Sequence, residues 1–162
     1  MNQELIDTVT KLSDFLIECD TPSMPHSGKR LYDHLMSTYY ILAEHDLELD
    51  VCISGGLHSM LGTNAYKEFL VDNKNKLLEV FGEKITNLVV LFNSINRPFT
   101  LEKPVMIDYD HQLVSLLANN SSTIEISLEE YYSLCFIECA NLVEQNCFYP
   151  DKYPTLHSIW DF

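Results

Sequence analysis

Apolar residues recur at intervals of three and four along most of this chain, which is the spacing of one face of an α-helix. This periodicity predicts a first helix over residues 3–19, a second over 29–45 and a third over 49–60. Two prolines and a glycine in the stretch DTPSMPHSG separate the first two helices. The first third of the chain is therefore expected to form three amphipathic helices.

Helix signals continue in the rest of the chain. The stretch NKNKLLEVFGEKITNLVVLFNSI predicts one helix ending at Phe81-Gly82 and another reaching about Ile95, because glycine is common just past a helix end. Ser127, followed by Glu130 three residues later, is the pattern of a capping box and predicts a long helix to about Gln145. Shorter helices are expected near residues 65–71 and 111–119.

We therefore predict an all-α fold, a single helical bundle spanning residues 1–162. The aromatic, proline-broken C-terminal tail is expected to lie irregularly against it, and residues 96–110 have no assignable pattern. With 162 residues and 46% hydrophobic content, the chain can bury one substantial core.

The sequence also limits location and partners. Its apolar stretches fall short of the roughly 20 residues that span a bilayer, and the acidic N-terminus does not resemble a signal peptide, which predicts a cytoplasmic protein that does not bind membranes. The 24 acidic and 10 basic residues give a net charge of −14, which repels phosphate backbones and excludes nucleic acid as an expected partner. The five cysteines form no CxxC motif and are expected to be reduced packing residues.

Several polar side chains fall on faces that otherwise point inward. They are His34 on the second helix, His58 on the third, and Glu138, Asn141 and Gln145 on the late helix. A buried polar group left unpaired costs about 1–3 kcal/mol, so these groups are expected to meet in a shared pocket, joined by His26 at the start of the second helix. Any one of them taken alone is more often a satisfied core residue, and it is their combination that favours a pocket.

The pair Gly55-Gly56 precedes His58 inside the third helix. Glycine lowers the stability of a helix interior, so its presence predicts that another backbone element packs closely there.

The segments LYDHLMSTYYIL, ISGGLHS and FGEKITNLV together resemble the histidine-aspartate (HD) metal-dependent hydrolase superfamily, and especially its alarmone hydrolase branch. The longer string HSGKRLYDHL…T…GLHSMLGT is still more similar to a small bacterial family of unknown function, which we place in or beside that superfamily. The resemblance covers roughly residues 20–95 and 130–145.

The resemblance implies a metal site with His34 and His58 as ligands. Ser59 stands where the superfamily has the aspartate of its pair, and Asn141 stands where it has its later aspartate. Because both replaced groups are anionic ligands, a dinuclear centre is disfavoured and at most one divalent metal is expected. His26 or Glu138 would be the third ligand of an iron, zinc or manganese site. If no metal binds, the histidines remain able to act as general acid and base.

Five further residues are predicted to line a substrate pocket: Ser59, Thr63, Asn141, Lys29 and Arg30. Lys29 and Arg30 are an adjacent basic pair that would hold a carboxylate or single phosphate, or would simply be a solvated helix start. Thr63 lies where the alarmone hydrolases have an acidic pair, so that particular activity is disfavoured.

Two hypotheses remain open. The first is a small-molecule enzyme with His34, His58, His26 and Glu138 as catalytic residues, carrying out hydrolysis or another metal-assisted transformation. The second is a non-catalytic protein, binding a ligand or a partner, whose metal site has decayed. An enzyme predicts that His34 and His58 converge beside a solvent-connected pocket, whereas decay predicts that they are sealed and bonded to Ser59, Asn141 or backbone. Self-association as a homodimer is compatible with both.

Overall fold

The computed structural model describes residues 3–62 and 71–161. Within these ranges it contains seven α-helices: α1 (Gln3–Glu18), α2 (Leu31–Glu44), α3 (Leu49–Leu57), α4 (Val71–Ser94), α5 (Phe99–Glu102), α6 (Leu128–Glu144) and α7 (Pro154–Trp160). It also contains five strands: β1 (Pro25–His26), β2 (Lys29–Arg30), β3 (Met106–Asp108), β4 (Leu113–Leu117) and β5 (Thr123–Ser127). Strands β1 and β2 form one antiparallel sheet, and β3, β4 and β5 form another in that order.

The fold is therefore mixed α/β, and the expected all-α bundle is wrong. The main error is at residues 111–119, where a helix was expected and β4 lies instead. Strand β4 is the central strand of its sheet and is buried along its middle, which explains its nearly continuous apolar sequence. Such a short apolar run fits a buried strand and a helix equally well. Strand β5, TIEIS, has the alternation of a half-buried strand.

The C-terminal tail also differs from expectation, because it contains helix α7. Pro154 occupies the first turn, where the lack of a backbone N–H is tolerated. The Glu102 carboxylate accepts hydrogen bonds from the backbone N–H groups of Thr155 (2.9 Å) and Leu156 (3.0 Å). A buried acid thus satisfies the N-terminus of a helix that periodicity did not reveal.

The remaining helix predictions are confirmed where the structure describes them. Helices α1, α2 and α3 begin and end within a few residues of their predicted bounds. Helix α4 is interrupted at Gly82, whose φ of 81° is outside the helical range. Helix α6 begins with the predicted capping box of Ser127 and Glu130. The short helix expected near residues 65–71 falls almost entirely outside the described residues.

The Gly55-Gly56 pair allows close packing of α3 against side chains of α2 and α1, where close approach of another backbone element was expected. A Cβ atom at Gly55 would lie 2.1 Å from Leu42 Cδ1 on α2. One at Gly56 would lie 2.7 Å from Leu12 Cδ2 on α1. These contacts are too short for any larger residue without repacking. The glycines therefore bring the end of α3, and with it His58, against the neighbouring helices.

The small sheet β1–β2 is a tight hairpin. Its two turn residues, Ser27 and Gly28, have φ values of 47° and 83°, which suit the right-handed twist of a two-residue hairpin. His26 pairs directly with Lys29 across the strands. Directly paired residues extend their side chains from the same face of a sheet, so His26 and Lys29 share one face of the hairpin.

The five cysteines are free thiols, as expected. Within the described ranges, none of the helices combines the length and apolar character needed to cross a bilayer.

Candidate functional site

His34 on α2 and His58 at the end of α3 meet inside the protein. Their Nε2 atoms are 3.1 Å apart, and their ring centroids are 4.9 Å apart with the rings nearly perpendicular. His34 is 0% exposed and His58 is 1% exposed. The two histidines that the sequence singled out therefore converge at a distance suited to a shared ligand.

The other nitrogen of each ring is held by a fixed acceptor. His58 Nδ1 lies 2.7 Å from the backbone oxygen of Gly55, to which it donates a hydrogen bond. His34 Nδ1 lies 2.5 Å from Oε2 of Glu144 on α6. A carbonyl and a carboxylate on these positions fix the orientation of both rings and direct the two Nε2 atoms toward each other.

The protonation of the four ring nitrogens determines whether the two Nε2 atoms attract or repel each other. If both Nδ1 atoms carry protons for their acceptors, each neutral ring presents a lone pair at Nε2. Two lone pairs at 3.1 Å repel each other. A cation shared by the two Nε2 atoms, either a proton or a metal ion, removes this repulsion. The Glu144 carboxylate behind His34 supplies negative charge that would compensate it.

The local electrostatics favour neutral rings. Burial lowers the pKa of His58 well below its ordinary value, and the nearby charges of His34 and Arg97 lower it further. Burial also lowers the pKa of His34, while the hydrogen bond and charge of Glu144 oppose that shift. Neutral imidazole is the form that binds metal ions and accepts protons.

Glu144 joins the histidine pair to the β1–β2 hairpin. Its side chain is 3% exposed, and its Oε1 atom accepts a short hydrogen bond from the Lys29 ammonium. On the same face of the hairpin, the His26 ring stacks on His34 with centroids 4.3 Å apart. The hairpin therefore covers His34, and we call Glu144, His34, His58, Lys29 and His26 the Glu144 cluster.

A second buried carboxylate on α6 is paired differently. Glu138 Oε2 accepts a hydrogen bond from Arg97 Nη1 at 2.9 Å and a longer one from Asn141 Nδ2 at 3.5 Å. Burial raises the pKa of Glu138, and the Arg97 charge opposes the shift. The Arg97 guanidinium also lies 4.0 Å from the centroid of Phe92, whose ring contacts His58. We call Glu138, Arg97 and Asn141 the Glu138 cluster.

The predicted site residues thus separate into groups. His26, His34, His58 and Lys29 meet in the Glu144 cluster. Glu138 accepts hydrogen bonds from Arg97 and Asn141, and Asn141 accepts one from Gln145. None of these hydrogen bonds involves the histidines.

The other predicted site residues lie outside both clusters. Arg30 is exposed and forms a bidentate ion pair with Asp33. Ser59 is 7% exposed, and its hydroxyl has no hydrogen-bond partner among the described residues. Thr63 lies outside the described residues.

A third metal ligand does not appear in the described parts of the chain. Within residues 3–62 and 71–161, no group of three or more His, Cys, Asp or Glu side chains is arranged to hold a metal ion. His26 stacks on His34 face to face, and Glu138 is bonded to Arg97. The described residues therefore supply two imidazole ligands.

Two residues of the site were not predicted. Glu144 follows Asn141 by three positions, so the stripe that identified Glu138 and Asn141 on α6 extends to it. Arg97 lies in the segment between Ile95 and β3, which had no assignable pattern. The composition could have indicated Arg97, because arginine is the cation most often paired with buried carboxylates. Only two of the ten basic residues are arginine.

The fold and the site define a mixed α/β protein with a buried histidine pair. The model of one protein family, a domain of unknown function (DUF6817), matches residues 15–97. This match is just over half of the 162 residues, so the chain belongs to that family. The matched segment contains His26, His34 and His58 and ends at Arg97. No curated protein and no solved structure matches the chain.

Proposed function

We propose that this protein is a small-molecule enzyme whose reaction is carried out at the His34–His58 pair, with one divalent metal ion as cofactor. The observation behind this proposal is the 3.1 Å separation of the two Nε2 atoms, with both Nδ1 atoms committed to acceptors. The reaction would be a hydrolysis or another metal-assisted transformation. The resemblance of His34 and His58 to the two metal-binding histidines of the HD superfamily supports the same proposal.

Among the described residues, the His34–His58 pair would supply two of the three protein ligands that a mononuclear catalytic site uses. Two ligand atoms with bonds of about 2 Å at a tetrahedral centre are separated by about 3.3 Å, close to the observed distance. Histidine ligands commonly donate their second N–H to a carboxylate or a backbone carbonyl, as the arrangement at Glu144 and Gly55 allows. Iron, zinc and manganese all accept imidazole ligands. Once bound, the metal would supply Lewis acidity and lower the pKa of a bound water.

The protein's own residues have separate tasks in this proposal. Glu144 fixes the His34 ring and compensates positive charge at the pair. Lys29 and His26 hold the hairpin over His34 and exclude water from it. If no metal binds, His34 passes a proton between Glu144 and His58, since its two nitrogens contact one group each. A cytoplasmic location remains part of the proposal.

Metal content tests this proposal directly. Untagged protein purified without chelator is analysed by mass spectrometry for metals, beside His34→Ala, His58→Ala and Glu144→Gln. We expect about one equivalent of iron, zinc or manganese in the wild type and none in the two histidine variants. Glu144→Gln should weaken metal affinity by about 10–100-fold, because a group that orients a ligand is lost.

Two variants provide matched controls. His111→Ala removes a histidine that lies on the surface and bonds to Asp108, so it tests for adventitious surface binding. Glu138→Gln removes the other buried carboxylate of α6, which contacts Arg97. Both should retain the wild-type metal content. A folded wild-type protein that neither contains metal nor takes it up would exclude the metal-dependent enzyme.

A second candidate function is a non-catalytic ligand-binding protein. It is favoured by the near-complete burial of His34 and His58 and by the presence of only two metal ligands among the described residues. In that case the two rings share a proton rather than a metal ion. Nitrogen NMR of ¹⁵N-histidine protein distinguishes the two at Nε2, because a bound metal ion would shift both Nε2 signals, whereas a shared proton would be bonded to Nε2.

A further inference from the structure

A cleft of about 390 Å³ lies outside both carboxylate clusters. Phe99 on α5, Val105 before β3 and Leu117 on β4 line it, together with Tyr153 at the start of α7. Lys103 and Lys152 also line it. We call it the lysine cleft, and its size is within the range of small-molecule sites.

Two apolar side chains that line the lysine cleft are largely exposed to solvent. Phe99 is 67% exposed and Val105 is 60% exposed, whereas Tyr153 is 5% exposed. Two large exposed apolar side chains thus border a buried aromatic ring. Contiguous exposed apolar surface marks binding sites more often than isolated apolar residues do.

The two lysines make this surface positively charged. Among the described residues, neither Lys103 nor Lys152 has a carboxylate oxygen within 4.0 Å, unlike Lys29 and Lys84. The Lys152 ammonium lies 5.0 Å from the centroid of the Tyr153 ring. On a chain with a net charge of −14, two ammonium groups without a carboxylate partner among the described residues border one apolar cleft and form a local site for an anion.

The acidic residue that lines the cleft does not cancel this charge. Both carboxylate oxygens of Glu102 accept hydrogen bonds from the first turn of α7, at Thr155 and Leu156. Glu102 is also 7% exposed, so its carboxylate is directed into the protein. The negative charge of Glu102 therefore stabilises a helix N-terminus and leaves the lysines available to a ligand.

We propose that the lysine cleft binds a small amphipathic carboxylate, a molecule with an apolar or aromatic body and one carboxylate group. The apolar body lies against Phe99, Val105 and the Tyr153 ring. The carboxylate accepts charge-assisted hydrogen bonds from Lys103 and Lys152. This site is separate from the histidine pair and does not depend on the function proposed above.

Octanoate is a suitable probe because it combines the two required features. Titration of ¹⁵N-labelled full-length protein with millimolar octanoate should shift the amide signals of residues 99–105 and 152–153. Octan-1-ol and octylamine, which lack the carboxylate, should shift them much less. Absence of octanoate-dependent shifts at these residues would overturn the proposal.

Two double variants test the role of charge. Lys103→Met with Lys152→Met should weaken octanoate binding by about tenfold or more, since two charge-assisted contacts are lost. Lys74→Met with Lys76→Met removes two exposed lysines of α4 and should leave binding unchanged. Equal affinity in both double variants would overturn the proposal. The four lysines are exposed, and circular dichroism checks that each variant folds.

The same surface could instead contact a second copy of the chain, and this is an outcome that the test detects. Light scattering of the wild type and of Phe99→Ser at matched concentrations measures the mass in solution. A monomeric wild type that binds octanoate supports the proposal. A dimer that Phe99→Ser dissociates would overturn it and assign the cleft to self-association.

Discussion

Helix α6 buries two carboxylates, and the two have different partners. Glu138 contacts Arg97, and the arginine side chain is a permanent cation in proteins. Glu144 contacts His34, a titratable imidazole whose pKa is lowered by burial, and Lys29, which lies on a small hairpin. Both acids are nearly inaccessible to solvent, with side-chain exposures of 2% and 3%.

This difference separates a structural contact from a chemical one. A carboxylate paired with a permanent cation offers no proton to transfer, and its role is to compensate charge inside the fold. A carboxylate paired with a histidine, which in turn contacts a second histidine, can hold or pass a positive charge. The Glu144 cluster is therefore where we expect chemistry, and the Glu138 cluster is where we expect the larger effect on stability.

The largest expected effect follows from removing the permanent cation. Arg97→Met leaves Glu138 buried without a compensating charge, which should lower the free energy of unfolding by about 3–5 kcal/mol. Urea denaturation measures the change. Adding Glu138→Gln to Arg97→Met removes the uncompensated charge and should recover most of the loss. A loss below about 1 kcal/mol in the single variant would contradict the structural role of this pair.

A smaller loss is expected from the glycine that supports the Glu144 cluster. Gly55→Ala places a Cβ atom in the space of Leu42 Cδ1, so the core must repack. Overpacking of this kind should lower the free energy of unfolding by about 1–3 kcal/mol. Because His58 donates to the Gly55 oxygen, the variant should also perturb the His58 ring signals in NMR. Combining it with Leu42→Val should restore part of the stability, and no restoration would refute the steric explanation.

The two clusters should respond to pH in opposite directions. Burial raises the pKa of Glu138, so its contribution to stability is full below the unfolded value of 4.5 and is lost as pH rises through the folded pKa. Burial lowers the pKa of His58, so its contribution is full above the unfolded value of 6.5 and is lost as pH falls toward the folded pKa. Each slope is limited to about 1.4 kcal/mol per pH unit.

Matched variants of metal-free protein separate the two slopes. Urea denaturation is measured from about pH 5, just above the ordinary glutamate pKa, to about pH 8, above the ordinary histidine pKa. Over this range, Glu138→Gln should remove the loss of stability on alkalisation. His58→Gln should remove the loss on acidification below pH 6.5. If both variants keep the wild-type pH profile, the burial of these two groups does not control their protonation.

The sequence predicted the helices that pack on one another better than it predicted the sheet. Helices α1 and α2 each present one apolar face, so the period of their apolar residues is visible in the sequence. Helix α6 begins with a capping box that the sequence also shows. Strand β4 is covered on both sides and loses the alternation that would identify a strand. Its assignment depends on pairing with β3 and β5, which is a long-range property that no local pattern contains.

The same reasoning applies to the site. His34 and His58 were found because each interrupts an apolar face, and the need to satisfy buried polar groups brought them together. Glu144 and Arg97 were missed because each partner is far away along the chain. Arg97 lies in a segment without periodicity, and Glu144 lies at the last turn of α6, where charged residues are usually solvated. Sequence therefore located the histidines, Lys29 and Glu138, but not Glu144 and Arg97, which pair with them.

The smallest expected effect on stability comes from replacing Lys29. The same variant tests whether the β1–β2 hairpin controls access to the Glu144 cluster. The Lys29 side chain is 40% exposed, so solvent screens its ion pair with Glu144, and Lys29→Met should cost less than about 1 kcal/mol. The same variant releases the hairpin from Glu144 and should expose His34, which diethyl pyrocarbonate modification followed by mass spectrometry measures as a faster rate. Lys84→Met, which removes another partly exposed lysine paired with acids, should leave that rate unchanged. An unchanged His34 rate in Lys29→Met would show that the hairpin does not control access to the histidine pair.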